Sequence, residues 1–284
     1  MTPLHPGPFY ELLVSGQVAV AVDDALIEFV GDDRLEWLQG QCTQDLRRLR
    51  EGETLEAGLC SATGHLLSHL AVFAMPDRIW VTTSRSGAAH VMSRVESAVI
   101  MEDVSAAVLN PARPLVAHYG AESRGIPRDR FGRLGWESLD ADDEAVSDDA
   151  SLEVLRLEAA RASGDVDAQD KTLAPELGPD FVARTISYTK GCYTGQEVLM
   201  RIHSRGHTNR TWRVLHADRP VARGAEVIGS DGRLAGVVTS SVVSPRFGPL
   251  CAGVLRDKAV DGLDTAIVRD ADGETLARWH VPNR

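Results

Sequence analysis

Lysine is nearly missing from this chain: only Lys171, Lys190 and Lys258 occur, so almost all basic charge sits on arginine. Positive charge is also the minority sign, with 30 Lys+Arg against 41 Asp+Glu and a formal net charge of -11. That balance excludes a surface globally attractive to a phosphate backbone, and no direct nucleic-acid contact is expected. Cysteine is sparse and scattered, at Cys42, Cys60, Cys192 and Cys251, with no C-x-x-C pair. A zinc ribbon, a dithiol redox motif and a small disulfide scaffold are therefore excluded, and the thiols read as those of a reducing cytosol. Long apolar runs are lacking too. None approaches the ~20 residues of a bilayer span, and the stretch Met1 to Pro8 has neither the basic nor the apolar part of a secretory signal. A cytoplasmic protein without a membrane partner is the expectation. The glycine patterns G-x-G-x-x-G, G-x-x-x-x-G-K-[ST] and G-x-S-x-G do not occur, so nucleotide-binding and serine-hydrolase readings have no support.

What is present is a 284-residue chain with 43% apolar residues, enough for one or two domains with a real core. Leu26 to Val30 reads as a strand, followed by an Asp32-Asp33 cap and a short helix through Leu35, Leu38 and Gln39. Leu55 to Cys60, His65 to Ala74 and Ile79 to Thr83 read as antiparallel strands separated by the turns Ser61 to Gly64 and Pro76-Asp77. Val91, Val95 and Val99 recur at helical spacing, and short strands follow around Val104 to Leu109 and Leu115 to His118. Glu122 to Arg133 and the acidic stretch Asp140 to Asp149 read as a solvated connection. Ser151 offers a cap for a helix whose Leu152, Leu155 and Ala159 share a face and which ends near Ser163-Gly164. Beyond Trp212 the pattern changes to about six short strands, with Asp231-Gly232 and Asp272-Gly273 as hairpin turns, which implies a small barrel or sandwich. The fold class is α+β. The expected domains are residues 1–209, with an acidic connection near 138–150, and residues 210–284.

The densest candidate for chemistry is Ile186 to Glu197, read as a strand entering a glycine-bracketed turn and then a helix. Cys192 there lies near the positive end of a helix and beside Lys190, both favouring a thiolate; a small packed hydrophobe is the alternative. Between Glu197 and Asp218 there is no carboxylate, while Arg201, His203, Arg205, His207, Arg210, Arg213 and His216 all occur. Such a segment suits an anionic ligand such as a glutamate tail or phosphate, or else is a solvated face paired with the acidic loop. His203 and His207 are four apart, but Gly206 interrupts them and the glutamate of a zincin is missing, so no metal site is expected. Glu158, after an apolar helix face, could accept a paired hydrogen bond from an amino-pyrimidinone edge or simply lie on a surface helix.

The run Lys190 to Glu197, K-G-C-Y-T-G-Q-E, resembles the K-G-C-[FY]-x-G-Q-E motif of the YgfZ family of folate-binding proteins, relatives of the glycine-cleavage aminomethyltransferase. Trp37 to Asp45 is similar to that family's F-L-Q-G-Q-x-T-x-D, Arg156 to Ala159 to its R-x-E-A, and Pro175-Glu176 loosely to its P-Q-E. Gly236 to Ser240, followed by Ser244-Pro245, resembles its G-x-V-T-S segment. The resemblance implies a folate-binding body of interlocked α+β subdomains with a C-terminal β-barrel, and a channel for tetrahydrofolate or a derivative. It implies that Glu158 holds the pterin, that Tyr193 and Gln196 of the motif contact the cofactor, and that Arg201, Arg205 or Arg210 attract its carboxylates. Lys190 and Cys192 would be the functional pair, with Cys192 as a reactive thiol. The role implied is accessory, in assembly or repair of iron–sulfur clusters, including those of tRNA-modifying enzymes, with client or assembly proteins as partners. Two alternatives stand beside it: a folate-dependent one-carbon transferase or demethylase, and a folate-independent iron–sulfur scaffold using Cys192 with His203 or His207. The aminomethyltransferases carry an Asp-Asp pair after the glycine turn where this chain has Ser68-His69, which argues against glycine-cleavage transfer. The family's G-x-P-R-x-G after R-x-E-A is replaced here by Ala160 to Gly164.

Overall fold

The structure is a computed structural model that describes residues 2–111, 114–119, 125–131, 134–138, 145–229 and 232–280. In chain order its elements begin with α1 (Tyr10–Ser15), β1 (Ala19–Val22), β2 (Asp24–Val30), α2 (Arg34–Gln41), β3 (Thr54–Cys60), β4 (Leu66–Ala74), β5 (Ile79–Ser84) and α3 (Arg85–Ala98). They continue with β6 (Ser105–Val108), β7 (Leu115–Tyr119), β8 (Ile126–Asp129), β9 (Leu134–Ser138), α4 (Asp149–Glu158), α5 (Pro179–Thr185) and α6 (Gln196–Arg205). The C-terminal part holds β10 (Arg210–Ala217), β11 (Glu226–Ile228), β12 (Leu234–Val237), β13 (Ser240–Ser244), β14 (Gly248–Arg256), α7 (Asp257–Val260), β15 (Thr265–Asp270) and β16 (Gly273–Trp279).

Among the described residues three antiparallel sheets result, ordered β3-β4-β5-β2-β6, β1-β7-β9-β8 and β12-β11-β15-β16-β10-β14-β13. In the first, Ile27, Phe29, Val72 and Val81 pack against Trp37 of α2 and Val91 of α3, the latter on the valine spacing expected for that helix. Gly87 is required there, because a Cβ would lie 2.4 Å from both Ser68 Oγ and Thr83 Oγ1 on the sheet. The C-terminal sheet curls into a half-barrel over its own core of Leu215, Val227, Cys251, Leu255 and Val268. Its β12 comes back onto β14 so closely that a Cβ on Gly253 would meet Val237 O at 2.3 Å. The start of β10 at Arg210 coincides with the expected boundary, and we propose 209/210 as the division between two domains.

Several local expectations are corrected. The helix after the acidic stretch is capped by Asp148, whose carboxylate accepts from Ser151 N and Ser151 Oγ, and it ends at Glu158 instead of near Gly164. Asp33 stands at the start of α2 without a side-chain cap bond, its carboxylate accepting from Asp103 N instead. Leu234 to Ser241 is not one strand but parts of β12 and β13, with a break at Val238-Thr239 where Thr239 N donates to Ala252 O. No strand precedes the K-G-C segment: α5 ends at Thr185 and the chain continues irregularly to α6. The span 122–133 is not simply solvated, since β8 lies in it with Ile126 and Arg128 buried. Residues 139–144 of the expected acidic connection, and Asp231 of the Asp231-Gly232 turn, lie outside the described residues.

Candidate functional site

The two motifs carrying the resemblance lie about 150 residues apart in sequence, and the fold laces them together. Lys190 is only 7% exposed, and its Nζ donates to the carbonyls of Gln39, Cys42 and Gln44 at 2.6, 2.7 and 2.8 Å. An ammonium has three protons, so all its donors are used. Burial holds the Lys190 amine below its ordinary value, the Tyr193 ring lies 5.0 Å from Nζ, and backbone bonds Ser187 N to Thr43 O and Thr194 N to Gly40 O complete the seam. Gly195, at φ 86°, precedes α6 because a Cβ there would lie 2.5 Å from Ser61 O in the Ser61 to Gly64 turn.

Cys192 is exposed, while Cys42, Cys60 and Cys251 are buried. The packed-hydrophobe alternative for Cys192 is thereby excluded, and Lys190, its three protons donated to backbone carbonyls, has no further donor to offer the thiol. Arg201 and Arg205 are exposed on α6 and enter no salt bridge among the described residues, whereas Arg210 is spent on a bidentate pair with Glu176 at 2.9 and 2.7 Å. His203 stacks on Tyr188 with ring centroids 3.8 Å apart, and His207 Nδ1 lies 3.1 Å from Arg205 O. Among the described residues no group of three or more His, Cys, Asp or Glu is placed to hold a metal. Gln196 opens α6 and is half-buried.

A cavity of about 330 Å³ lies elsewhere, between the β3-β4-β5-β2-β6 sheet, β8 and α4. None of Glu158, Lys190, Cys192, Tyr193, Gln196, Arg201, Arg205 and Arg210 lines it; Arg156, two residues before Glu158, does. In a helix a two-residue step turns the side chain to nearly the opposite side, which separates the two members of R-x-E-A. Glu158 is buried behind α4, its Oε1 accepting from Tyr10 OH at 2.7 Å and Ser244 Oγ at 2.6 Å, while Oε2 has no hydrogen bond and faces Arg246 Nη1 at 3.7 Å.

Among the described residues five arginines line the cavity: Arg128, Arg130, Arg156, Arg161 and Arg184. Four are neutralised, Arg130 by Asp24 and Glu137, Arg156 by Glu153 and Asp167, Arg161 by Asp129, and Arg184 by Glu56. Arg128 is the exception. It is 8% exposed, its Nε and Nη1 have no hydrogen-bond partner, and Glu137 Oε1 is 4.0 Å from Nε. Asp129 Oδ1 and Arg184 Nη2 are likewise buried without partners. Unsatisfied buried donors and acceptors are costly, so their gathering at one cavity calls for ordered water or a polar ligand there. Val22, Phe131, Leu152 and Ala162 supply an apolar lining.

His69 also lines the cavity, its Nε2 2.9 Å from Glu56 Oε2 and its ring against Phe181 at a centroid distance of 4.9 Å. Burial pushes the Glu56 carboxyl up, but the hydrogen bond and charge of His69, then Arg128 and Arg184, outweigh it and hold the group well below the usual carboxylate range. Gly164 leaves the room His69 needs, since a Cβ there would lie 2.7 Å from His69 Cβ. In the sequence Ser68-His69 stands out only as a departure from the aminomethyltransferase acid pair. Strand alternation supplies the missing signal: Ser68 turns away to Thr83, and His69 faces the cavity.

No family model matches the chain. The tRNA-modifying protein YgfZ of Yersinia enterocolitica is 24% identical over 288 residues, covering 85% of each protein. The protein of that name in Yersinia pestis (strain Pestoides F) is 28% identical over 262 residues, 78% of this chain and 79% of the relative. Among solved structures, the glycine cleavage system aminomethyltransferase T from Bartonella henselae is similar with a TM-score of 0.81 at 17% identity, covering 99% of this chain and 90% of that one. The fold is therefore the α+β aminomethyltransferase fold. Within it, the chain is related to the proteins named YgfZ, as its motifs indicated.

Proposed function

We propose that the chain binds tetrahydrofolate or a close derivative and acts as an accessory protein for the assembly or repair of iron–sulfur clusters, including those of tRNA-modifying enzymes. The observation that carries the folate part is the cavity beside Arg128. A pterin is a flat heterocycle with adjacent acceptors and donors, and the cavity offers unpaired donors on Arg128, an unpaired acceptor at Asp129 Oδ1 and apolar walls. When bound, a reduced folate supplies a nucleophilic ring nitrogen that can carry a one-carbon unit. The protein's part is to hold the ring, with Arg128 donating to its acceptor edge and Asp129 accepting its N–H groups. Glu158 Oε2, on the opposite side of α4, has Arg246 Nη1 at 3.7 Å but no hydrogen bond, and is a second candidate acceptor. Cys192, exposed and outside the cavity, is the thiol available to a partner protein. The YgfZ relatives support the accessory role through the tRNA-modifying function that their name states.

Anaerobic calorimetric titration of tetrahydrofolate into wild type and the R128M, D129N and E158A variants tests this reading. Saturable binding that R128M weakens by at least tenfold is expected. Loss through E158A alone would return the pterin to Glu158, and no binding to the wild type would overturn the folate part. Cys192→Ala should leave folate affinity in place while abolishing rescue of cluster-enzyme activity, and full rescue would remove the thiol from the proposal.

The His69–Glu56 pair favours a second reading, a one-carbon transferase or demethylase. A carboxylate-oriented imidazole on the cavity wall is a competent proton acceptor where the aminomethyltransferase acid pair is missing. It predicts turnover of methylenetetrahydrofolate with an amine donor, abolished by H69A, whereas the accessory role predicts binding without turnover.

A further inference from the structure

A second and larger recess, about 780 Å³, lies on the other side of the Glu56–Arg184 ion pair, which forms part of the wall of both. Its lining includes Arg47, Arg48, Arg50 and Arg184 against only Glu53 and Glu56, a local cationic excess in a chain of net charge -11. The local fold produces this display. Leu46 is fully buried and anchors a 3-10 turn over Leu46–Arg48, which leaves the neighbouring arginines outside. Arg47 is engaged by Glu36 in an exposed pair, while Arg48 and Arg50 are exposed and enter no salt bridge among the described residues. At the shared wall Arg184 is paired with Glu56 and, through Nε, with Asp180, yet its Nη2 is buried and without a hydrogen-bond partner.

We infer that this cleft holds the polyanionic tail of the cavity's ligand: a chain of γ-linked glutamates whose head occupies the cavity and whose carboxylates run from Arg184 to Arg48 and Arg50. The inference rests on the folate reading and deepens it. Guanidinium groups are the side chains best suited to successive carboxylates. The recess has more than twice the volume of the cavity, room for an extended chain instead of one compact ion. It also replaces the expectation from sequence that Arg201, Arg205 or Arg210 receive the tail, because α6 lines neither space and Arg210 is paired to Glu176.

The test compares tetrahydrofolate bearing one glutamate with the same compound bearing five, titrated anaerobically into the full chain. Wild type should bind the pentaglutamate at least tenfold more tightly, with a preference that shrinks as salt is raised. The double variant R48Q/R50Q, changed only at exposed positions, should bring the ratio to within about twofold of one. Equal affinities in the wild type, or an unchanged ratio in the double variant, would overturn the tail site while leaving the folate reading intact. Failure of both compounds to bind would overturn both. A short RNA that binds wild type and not the double variant, with equal folate affinities, would reassign the cleft to a phosphate backbone.

Discussion

Two sets of arginines in this protein teach opposite lessons about charge. Arg201, Arg205 and Arg210 cluster in the sequence with no carboxylate near them, yet two of them sit in open solvent and the third is paired with Glu176. Arg128, Arg130, Arg156, Arg161 and Arg184 come from separate segments and converge on one cavity, four of them paired with acids at hydrogen-bond distance and Arg128 only loosely, with Glu137 at 4.0 Å. A dense run of charge on an exposed helix is cheap, because water screens it. A buried guanidinium without a partner is expensive, so its persistence points to a ligand or to a compensating field.

Breaking the buried set should therefore cost far more than breaking the exposed one. Arg156→Met removes bonds to Glu153, Asp167, Ser240 and the Arg161 carbonyl, and urea unfolding should show a loss of about 3–5 kcal/mol. Arg201→Met and Arg205→Met should stay within about 0.5 kcal/mol of wild type. An equal effect of the three changes would erase the distinction.

The same contrast runs through the K-G-C motif on a smaller scale. Lys190→Met strands three buried carbonyls and should cost about 2–4 kcal/mol. Cys192→Ser, two residues on, should change stability by less than about 0.5 kcal/mol. Thiol labelling sharpens this point: one cysteine should react quickly in the native protein and four after unfolding. Burial pushes the Cys60 and Cys251 thiols up to about 12, which adds protonation to steric protection. Fast native labelling of Cys42 as well would show that the seam between the motifs opens.

The cavity should also leave a signature in acid. Because the Glu56 carboxyl is held below its ordinary value, its contribution to stability is complete above the unfolded value of about 4.3 and is lost as pH falls through that range toward the folded value. Glu56→Gln removes this contribution, so its unfolding midpoint should decline less steeply between about pH 5 and pH 3 than that of wild type. Parallel declines would place the acid sensitivity elsewhere.

Much of the architecture was legible in local pattern. The strand runs at Leu55 to Cys60, His65 to Ala74 and Ile79 to Thr83, the valine-spaced helix and the change to short strands after Trp212 each appear within a residue or two of their expected places, apart from the divided β12 and β13. These features depend on which face of one element is apolar, and periodicity records that directly. Gly195 is also explained, since a left-handed turn against Ser61 tolerates no side chain. Helix α5 had no such signal: it is short, it begins at Gly178-Pro179, and its Phe181 is buried by partners distant in the chain.

Local pattern and motif were enough for the fold class, the relationship to YgfZ proteins and the two motif segments. Long-range packing settled that Lys190 fastens one segment to the other, that Cys192 faces outward, and that Arg156 and Glu158 serve opposite sides of one helix. It also brought Arg128, His69 and Glu56 to a common wall. The reason is physical: burial, pairing and the cost of an unmet hydrogen bond depend on neighbours that lie tens of residues away in the chain. Composition and spacing report what a residue can do, and the fold determines which of those possibilities are already used.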